Sequence, residues 1–192
     1  LMAKYSDDER EEIKELLIKA GRDRLDEFGL ESMTIDEVTD RVGITKRTLH
    51  QLFESKNDLY VEIFAQECDE FLSDVNELNN EDNPERGLRR LISLYMTWVE
   101  ESALLKYLIV DPNATTVAHE LPIDEFYELR QDAFSEITPV LRRLQRLSEP
   151  HAFDWEVLYY LFMAIGVVEI HHELYQHNGE NVSPRVRKSL IE

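Results

Sequence analysis

Between Thr34 and Phe53 the chain reads TIDEVTDRVGITKRTLHQLF, and this stretch decides the fold class. Thr34 followed three positions later by Glu37 has the form of a capping box, in which hydroxyl and carboxylate each answer a backbone N–H of the first helical turn. A short helix therefore opens at Thr34, carries Ile35 and Val38 on its inner face, and ends near Gly43. Gly43 has no Cβ and allows the positive φ that a tight turn needs. Thr45 caps a second helix through about Phe53. Its inner face is Leu49, Leu52 and Phe53, while Lys46, Arg47, Thr48, His50 and Gln51 face outward. A polar helix anchored across a tight turn is what entry into a DNA major groove requires. Thr34, and Lys56 at the start of the next helix, are placed to hold phosphates with side chains and helix N-terminal N–H groups.

Helix signals dominate on both sides of this stretch, and the expected class is all-α. Ser6 with Glu9 forms another capping box, after which Ile13, Leu16, Leu17, Ala20 and Phe28 recur at helical spacing before Gly29. Ser55 caps a helix from about Lys56 to Leu78, with Leu59, Ile63, Phe64, Phe71 and Leu72 as inner positions. Asn83-Pro84 reads as a cap followed by a first helical residue. The next apolar stripe is Leu88, Leu91, Ile92, Tyr95, Met96 and Val99. A short helix near Ser102 to Val110 and an irregular connection from Asp111 to Pro122 follow. From Ile123 to Leu147 the stripe is Phe126, Tyr127, Ala133, Phe134, Ile137, Val140, Leu141 and Leu144, with Pro139 expected to kink it. A last long helix is expected from Phe153 to His177, and a short one from Ser183-Pro184. The predicted division is a helix-turn-helix domain over 6–56 and a helical domain over 57–192.

Composition bounds the function. No apolar run approaches the roughly 18–20 residues of a membrane span. LMAKYSDDEREE turns acidic where a secretion signal would turn apolar, and the single cysteine, Cys68, fits a reducing cytoplasm without disulfides. The net charge of −19 argues against a generic polyanion binder. Its distribution argues otherwise: from Arg41 to Lys56 the bases are Arg41, Lys46, Arg47 and Lys56 against the single acid Glu54. Screening over about 8–10 Å lets such a patch act despite acid elsewhere. A salt-rich cytoplasm would also account for the acidity.

The run from Met33 to Val38, the turn Val42-Gly43-Ile44-Thr45, Thr48-Leu49, and Phe53-Glu54-Ser55-Lys56-Asn57-Asp58-Leu59 together resemble the tetracycline-repressor (TetR) family. The resemblance covers residues 6 to about 64. Two positions depart from it: the family usually has a small Ala where this chain has Thr39, and a phosphate-contacting Tyr where it has His50. His50 can still donate to a phosphate, with a strength that depends on pH. The resemblance implies a DNA-binding transcription regulator, more often a repressor, whose later helices bind a small-molecule effector and dimerise.

A single recognition helix discriminates weakly, and such modules work in pairs on half-sites of a pseudo-palindromic operator. The segment Trp155 to His177, apolar nearly all round as far as Val168, is the first candidate for pairing as a homodimer. Trp155, Leu158, Phe162, Ile165, Gly166 and Glu169 are its expected contacts, joined by Val140 and Leu144 of the preceding helix. An effector pocket would draw on Tyr95, Trp98, Tyr107, Phe126, Tyr127, Phe134, Tyr159 and Met163, though ordinary core packing is the better explanation of each one alone.

One cluster tempts a metal reading: Glu169, His171, His172, Glu173 and His177. His172 and His177 are five apart, about 140° round a helix, whereas the zinc-protease pattern needs four. Glu169-x-x-His172 is a single unit of the kind that di-iron bundles use twice, and a homodimer could supply the second. Phosphate loops, nucleophile elbows and paired-cysteine motifs are missing, so neither an enzyme nor a cofactor is expected. The competing expectation is an all-helical small-molecule or metal-binding protein that uses the helix-turn-helix only as scaffold, which leaves Lys46, Arg47 and Lys56 unexplained.

Overall fold

The computed structural model describes residues 5–109, 122–148, 154–170, 176–177 and 180–181. Among the described residues there are eight α-helices: α1 (Asp7–Phe28), α2 (Ile35–Val42), α3 (Lys46–Leu49), α4 (Lys56–Glu77), α5 (Pro84–Glu101), α6 (Ala103–Ile109), α7 (Ile123–Leu147) and α8 (Trp155–Ile170). Local chemistry sets their ends. Capping boxes close on Ser6/Glu9, Thr34/Glu37 and Ser55/Asp58, Asn83 caps α5 with Pro84 behind it, and Gly43 takes φ 78° at the end of α2. α7 continues through Pro139 as one helix.

The core is continuous. Leu59 and Ile63 of α4 lie against Gly21 of α1. Farther along the same helix Phe64 and Phe71 stack on Trp98 of α5, at 6.0 and 4.5 Å between ring centres, and Phe64 meets Phe126 of α7 edge-on. One buried cluster thus runs from Leu17 to Leu144, across the boundary expected at 56/57, and α4 is the helix that joins its two parts. Gly87 sits where a Cβ would lie 2.6 Å from a methyl of Leu144, so its lack of a side chain lets α5 and α7 approach.

Several expectations need correction. Leu16 and Phe28, read at the helical spacing of α1, are about half exposed, and Leu25, outside that reading, is buried. Phe28 instead lies under the Arg24 guanidinium, 3.9 Å from the ring centre. Tyr127 is also exposed. Helix α3 is one turn long rather than reaching Phe53. Beyond it the bonds tighten, with Leu52 N–H donating to Leu49 C=O at 2.8 Å, because Phe53 must turn into the core just before Ser55 starts α4. The last helix does not reach His177. The apolar run ends with Ile170, and Gln176–His177 pairs antiparallel with Glu180–Asn181. The overlooked signal was Asn178-Gly179, the dipeptide that favours two-residue hairpin connections. The connection from Asp111 and the helix expected at Ser183-Pro184 lie outside the described residues.

Candidate nucleic-acid interface

The helix-turn-helix is built from hydrogen bonds that the sequence dictates locally. Thr34 Oγ1 accepts from Glu37 N–H at 3.3 Å and donates to the Glu37 carboxylate, which in turn accepts from Thr34 N–H at 3.1 Å. These donors hold the Glu37 carboxyl below the usual carboxylate range. Arg24 of α1 reaches the same carboxylate at 2.5 Å and so fastens α2 to α1. Thr45 Oγ1 accepts from Thr48 N–H at 3.2 Å and lies 3.0 Å from the Thr48 hydroxyl. Val38 and Leu49 are buried between the helices, which sets α3 across α2. Thr39, where the family prefers Ala, fits because its hydroxyl is satisfied at 3.0 Å by the carbonyls of Ile35 and Asp36.

The outward side of α3 and its C-terminal turn presents Lys46, Arg47, His50 and Gln51, all exposed, with Thr48 half-buried. The bases read from the sequence are not equally available. Lys46 Nζ lies 2.5 Å from Asp36, and Arg41 is 3.1 Å from Asp23 and 3.9 Å from Glu27. Lys56 turns inward, its ammonium 3.3 Å from Met33 C=O and 5.3 Å from the Tyr60 ring centre. The first-turn N–H of Asp58 is taken by Ser55, and those of Glu54 and Ser55 by the Asp58 carboxylate. Among the described residues only Arg47, of these four bases, carries no ion pair or side-chain hydrogen bond. The local charge excess is thus largely answered by acids that folding brings from α1 and α2. Arg10 is a positioning residue that sequence reasoning missed. Its guanidinium donates to Gln51 C=O at 3.2 Å and braces the turn after α3 from 41 positions away, a separation that leaves no periodic trace.

Among the expected effector residues, Tyr95, Trp98, Phe126 and Phe134 meet in one buried aromatic cluster, with Tyr159 edge-on to Phe134 at 5.9 Å. Trp98 Nε1 is buried there without an acceptor. A groove of about 360 Å³ between α7 and α8 is lined by Ser135, Thr138, Trp155, Glu156, Tyr159 and Tyr160. The side chains of Tyr107 and Met163 lie outside the described residues. So do those of Phe162, Ile165, Gly166 and Glu169, expected at the pairing surface, and the histidines of the tail cluster. Val140 and Leu144 are fully inside the chain's own core and leave no surface for a partner. Trp155 and Leu158 are partly buried against that core. The exposed apolar face of α8 is instead Val157, Tyr160 and Leu161, at 55%, 72% and 49% exposure and i, i+3, i+4 spacing.

Known proteins share this architecture. Residues 17–63 match the family described as bacterial regulatory proteins, tetR family. The HTH-type transcriptional activator FasR of Mycolicibacterium smegmatis is 28% identical over 109 residues, which are 56% of this chain and 49% of that relative. The chain thus spans about half the length of this curated relative. A TetR/AcrR-family regulator from Thermobifida fusca has the same fold at TM-score 0.65 and 17% identity, covering 96% of this chain and 95% of its own. The regulator FadR of Bacillus subtilis, solved in complex with stearoyl-CoA, aligns at TM-score 0.63 and 12% identity over 93% of this chain and 97% of its own. The family pattern thus falls on the helix-turn-helix, within residues 17–63, and the fold of TetR/AcrR-type regulators is shared along nearly the whole chain.

Proposed function

We propose that the chain binds double-stranded DNA as a homodimer, with α3 and the turn after it in the major groove, and leaves its operator when a small molecule enters the helices beyond α4. The observation that carries this reading is the side of α3 bearing Arg47, His50 and Gln51, exposed and set outward by the buried Leu49. Thr34, Thr45 and Thr48 flank it, and contact with phosphates would draw their hydroxyls from the bonds they make to Glu37 and to each other. Residues 6–56 form the DNA-reading part, 57–192 the sensing and pairing part, and α4 belongs to both. Pairing through α8 is supported by Val157, Tyr160 and Leu161, an apolar stripe that one chain leaves exposed. Among the described residues no helix is long and apolar enough to cross a membrane. The DNA-binding reading places the protein's action where the DNA is, in the cytoplasm.

The effector we expect is apolar. The aromatic cluster around Trp98 supports an oily ligand, and the FadR neighbour holds a long-chain acyl thioester, so stearoyl-CoA is a first probe. Ligand binding would shift the population between two shapes of the sensing helices and so move the paired recognition helices off half-site spacing. Repression is the commoner mode in the family, whereas the FasR relative is an activator, and the helix-turn-helix does not dictate the sign. The test is selection of bound fragments from the host genome at low ionic strength, followed by affinity measurement with Arg47→Ala. Protection of two half-sites about 34–36 Å apart, or a multiple, is expected. Equal affinity of wild type and variant on every selected fragment would remove the recognition-helix assignment.

A further inference from the structure

Glu67 is a carboxylate placed where the fold offers it almost no water. It lies on α4 at 3% exposure, among the hydrophobic residues that join the two parts of the molecule. On one side it is hydrogen-bonded to the hydroxyl of Ser102, whose Oγ also accepts from Leu105 N–H at 2.9 Å and so caps the start of α6. On the other side Arg22 of α1 brings its Nε to 3.8 Å from the same carboxylate, while its Nη1 is 2.5 Å from Glu70. One side chain therefore touches the helix that braces the helix-turn-helix and the cap of a helix in the sensing part.

The charges around it compete. Burial pushes the Glu67 carboxyl up to about 7, Ser102 and Arg22 pull it back, and Asp26 of α1 and Glu70 of α4 add to the rise. Burial raises the Asp26 carboxyl in turn, with Arg22 and Lys106 of α6 drawing it back and Asp23 and Glu101 adding to the rise. An ionised Glu67 accepts the Ser102 hydroxyl proton and attracts the Arg22 guanidinium. A neutral Glu67, having taken a proton from solvent, can donate that proton to the second lone pair of Ser102 Oγ, and it exerts no net pull on Arg22.

We propose that Glu67 is the positioning residue that couples the start of α6 to α1: ionised, it ties Arg22 to the Ser102 cap, and protonated, it releases Arg22 to Glu70. A movement of α6 that withdraws Ser102 removes a hydrogen bond favouring the charged form and so promotes proton uptake. By reciprocity, a change of pH biases the position of α6. The consequence for operator affinity rests on the DNA-binding reading; the coupling between helices does not.

Two measurements on the full chain test this. In protein labelled with 13C at glutamate Cδ, the resonance absent from Glu67→Gln should titrate in the neutral range, with a midpoint raised by Ser102→Ala. Amide exchange in α1 around Arg22, corrected for intrinsic rates and taken relative to the slowest core amides, which report global unfolding, should be faster at pH 6 than at pH 8 in wild type and equal at both in Glu67→Gln. Titration in the ordinary acidic range, or identical pH dependence of α1 exchange in wild type and Glu67→Gln, overturns the proposal. On selected genomic fragments, in a His50→Gln background that removes the DNA-facing imidazole, affinity should change about tenfold between pH 6 and pH 8. That factor corresponds to a one-unit difference between the two conformations. With Glu67→Gln the change should stay under twofold, and an equal change also overturns the proposal. Failure to bind any fragment at either pH counts against the DNA reading, and the titration and exchange results then decide the coupling on their own.

Discussion

Lys46 at the start of the recognition helix sits 2.5 Å from Asp36 of the preceding helix, so a base that the sequence offers to phosphate is already engaged by an acid. An exposed pair of this kind contributes about 0–1 kcal/mol to stability. Its larger effect is on DNA, since Lys46 must exchange one anion for another. Asp36→Asn should leave folding nearly unchanged, tighten binding to any duplex, and steepen the dependence of log affinity on log salt by about one unit per recognition helix. Lys46→Ala should cost less affinity than Arg47→Ala, because Arg47, unlike Lys46, starts without an ion-pair partner among the described residues. Binding titrations over a salt series check both orderings.

Glu67 makes stability depend on pH with a sign opposite to that of most carboxylates. Unfolded, it loses its proton near the ordinary 4.5; folded, burial holds the proton up to about 7. Between those values the folded chain carries the extra proton, so raising the pH favours unfolding. The penalty is absent below about 4.5 and complete above about 7, on the order of 3 kcal/mol. Glu67→Gln should therefore be more stable than wild type at pH 8 by roughly 1–3 kcal/mol and gain almost nothing at pH 4. Denaturant unfolding of both proteins across that range gives the difference directly.

Gly87 and Gly43 answer to different causes and predict different losses. Gly87→Ala places a methyl 2.6 Å from Leu144, a side chain with no exposed surface into which it could move. Overpacking of about 1–3 kcal/mol outweighs the gain in helix propensity, which is at most about 1 kcal/mol. Gly43→Ala meets no neighbour within 4 Å and is disfavoured by its φ of 78°. That costs roughly 1–2 kcal/mol and loosens the turn between α2 and α3. Thermal unfolding should show both losses, and DNA binding should suffer beyond the stability loss only for Gly43→Ala.

Leu161→Asp on the open face of α8 should separate the protomers and leave each folded. Its side chain is 49% exposed in the single chain, so the substitution buries no charge in the core. Sedimentation at micromolar concentration should report a dimer for wild type and a monomer for the variant, with cooperative unfolding kept. The same change at Leu144, fully buried, should instead prevent folding.

Much of the molecule was legible before folding because its signals act over three or four residues. Capping at Ser6, Thr34, Thr45, Ser55 and Asn83, the positive-φ turn at Gly43, and the stripe of α7 from Ile123 to Leu147 all followed from hydroxyl, glycine and apolar spacing alone. Spacing says that a residue shares a face with others, but not how wide the buried face is. Leu16, Phe28 and Tyr127 matched the period and yet lie outside the contact. Val140 and Leu144 had the right period for a pairing surface and were claimed by the chain's own core.

The amino-acid order by itself determined where the capped helices start, which helix presents polar side chains beyond a glycine turn, and that the chain is all-α in class. Those outcomes depend on hydrogen bonds and steric limits within one or two turns. Only the tertiary structure decided which bases remain available, that α4 joins both parts through one core, and that Glu67 is held between Arg22 and Ser102 without water. Each depends on groups that lie far apart along the chain, as Arg22 and Glu67 do, and Coulomb forces and desolvation act through space rather than along the backbone.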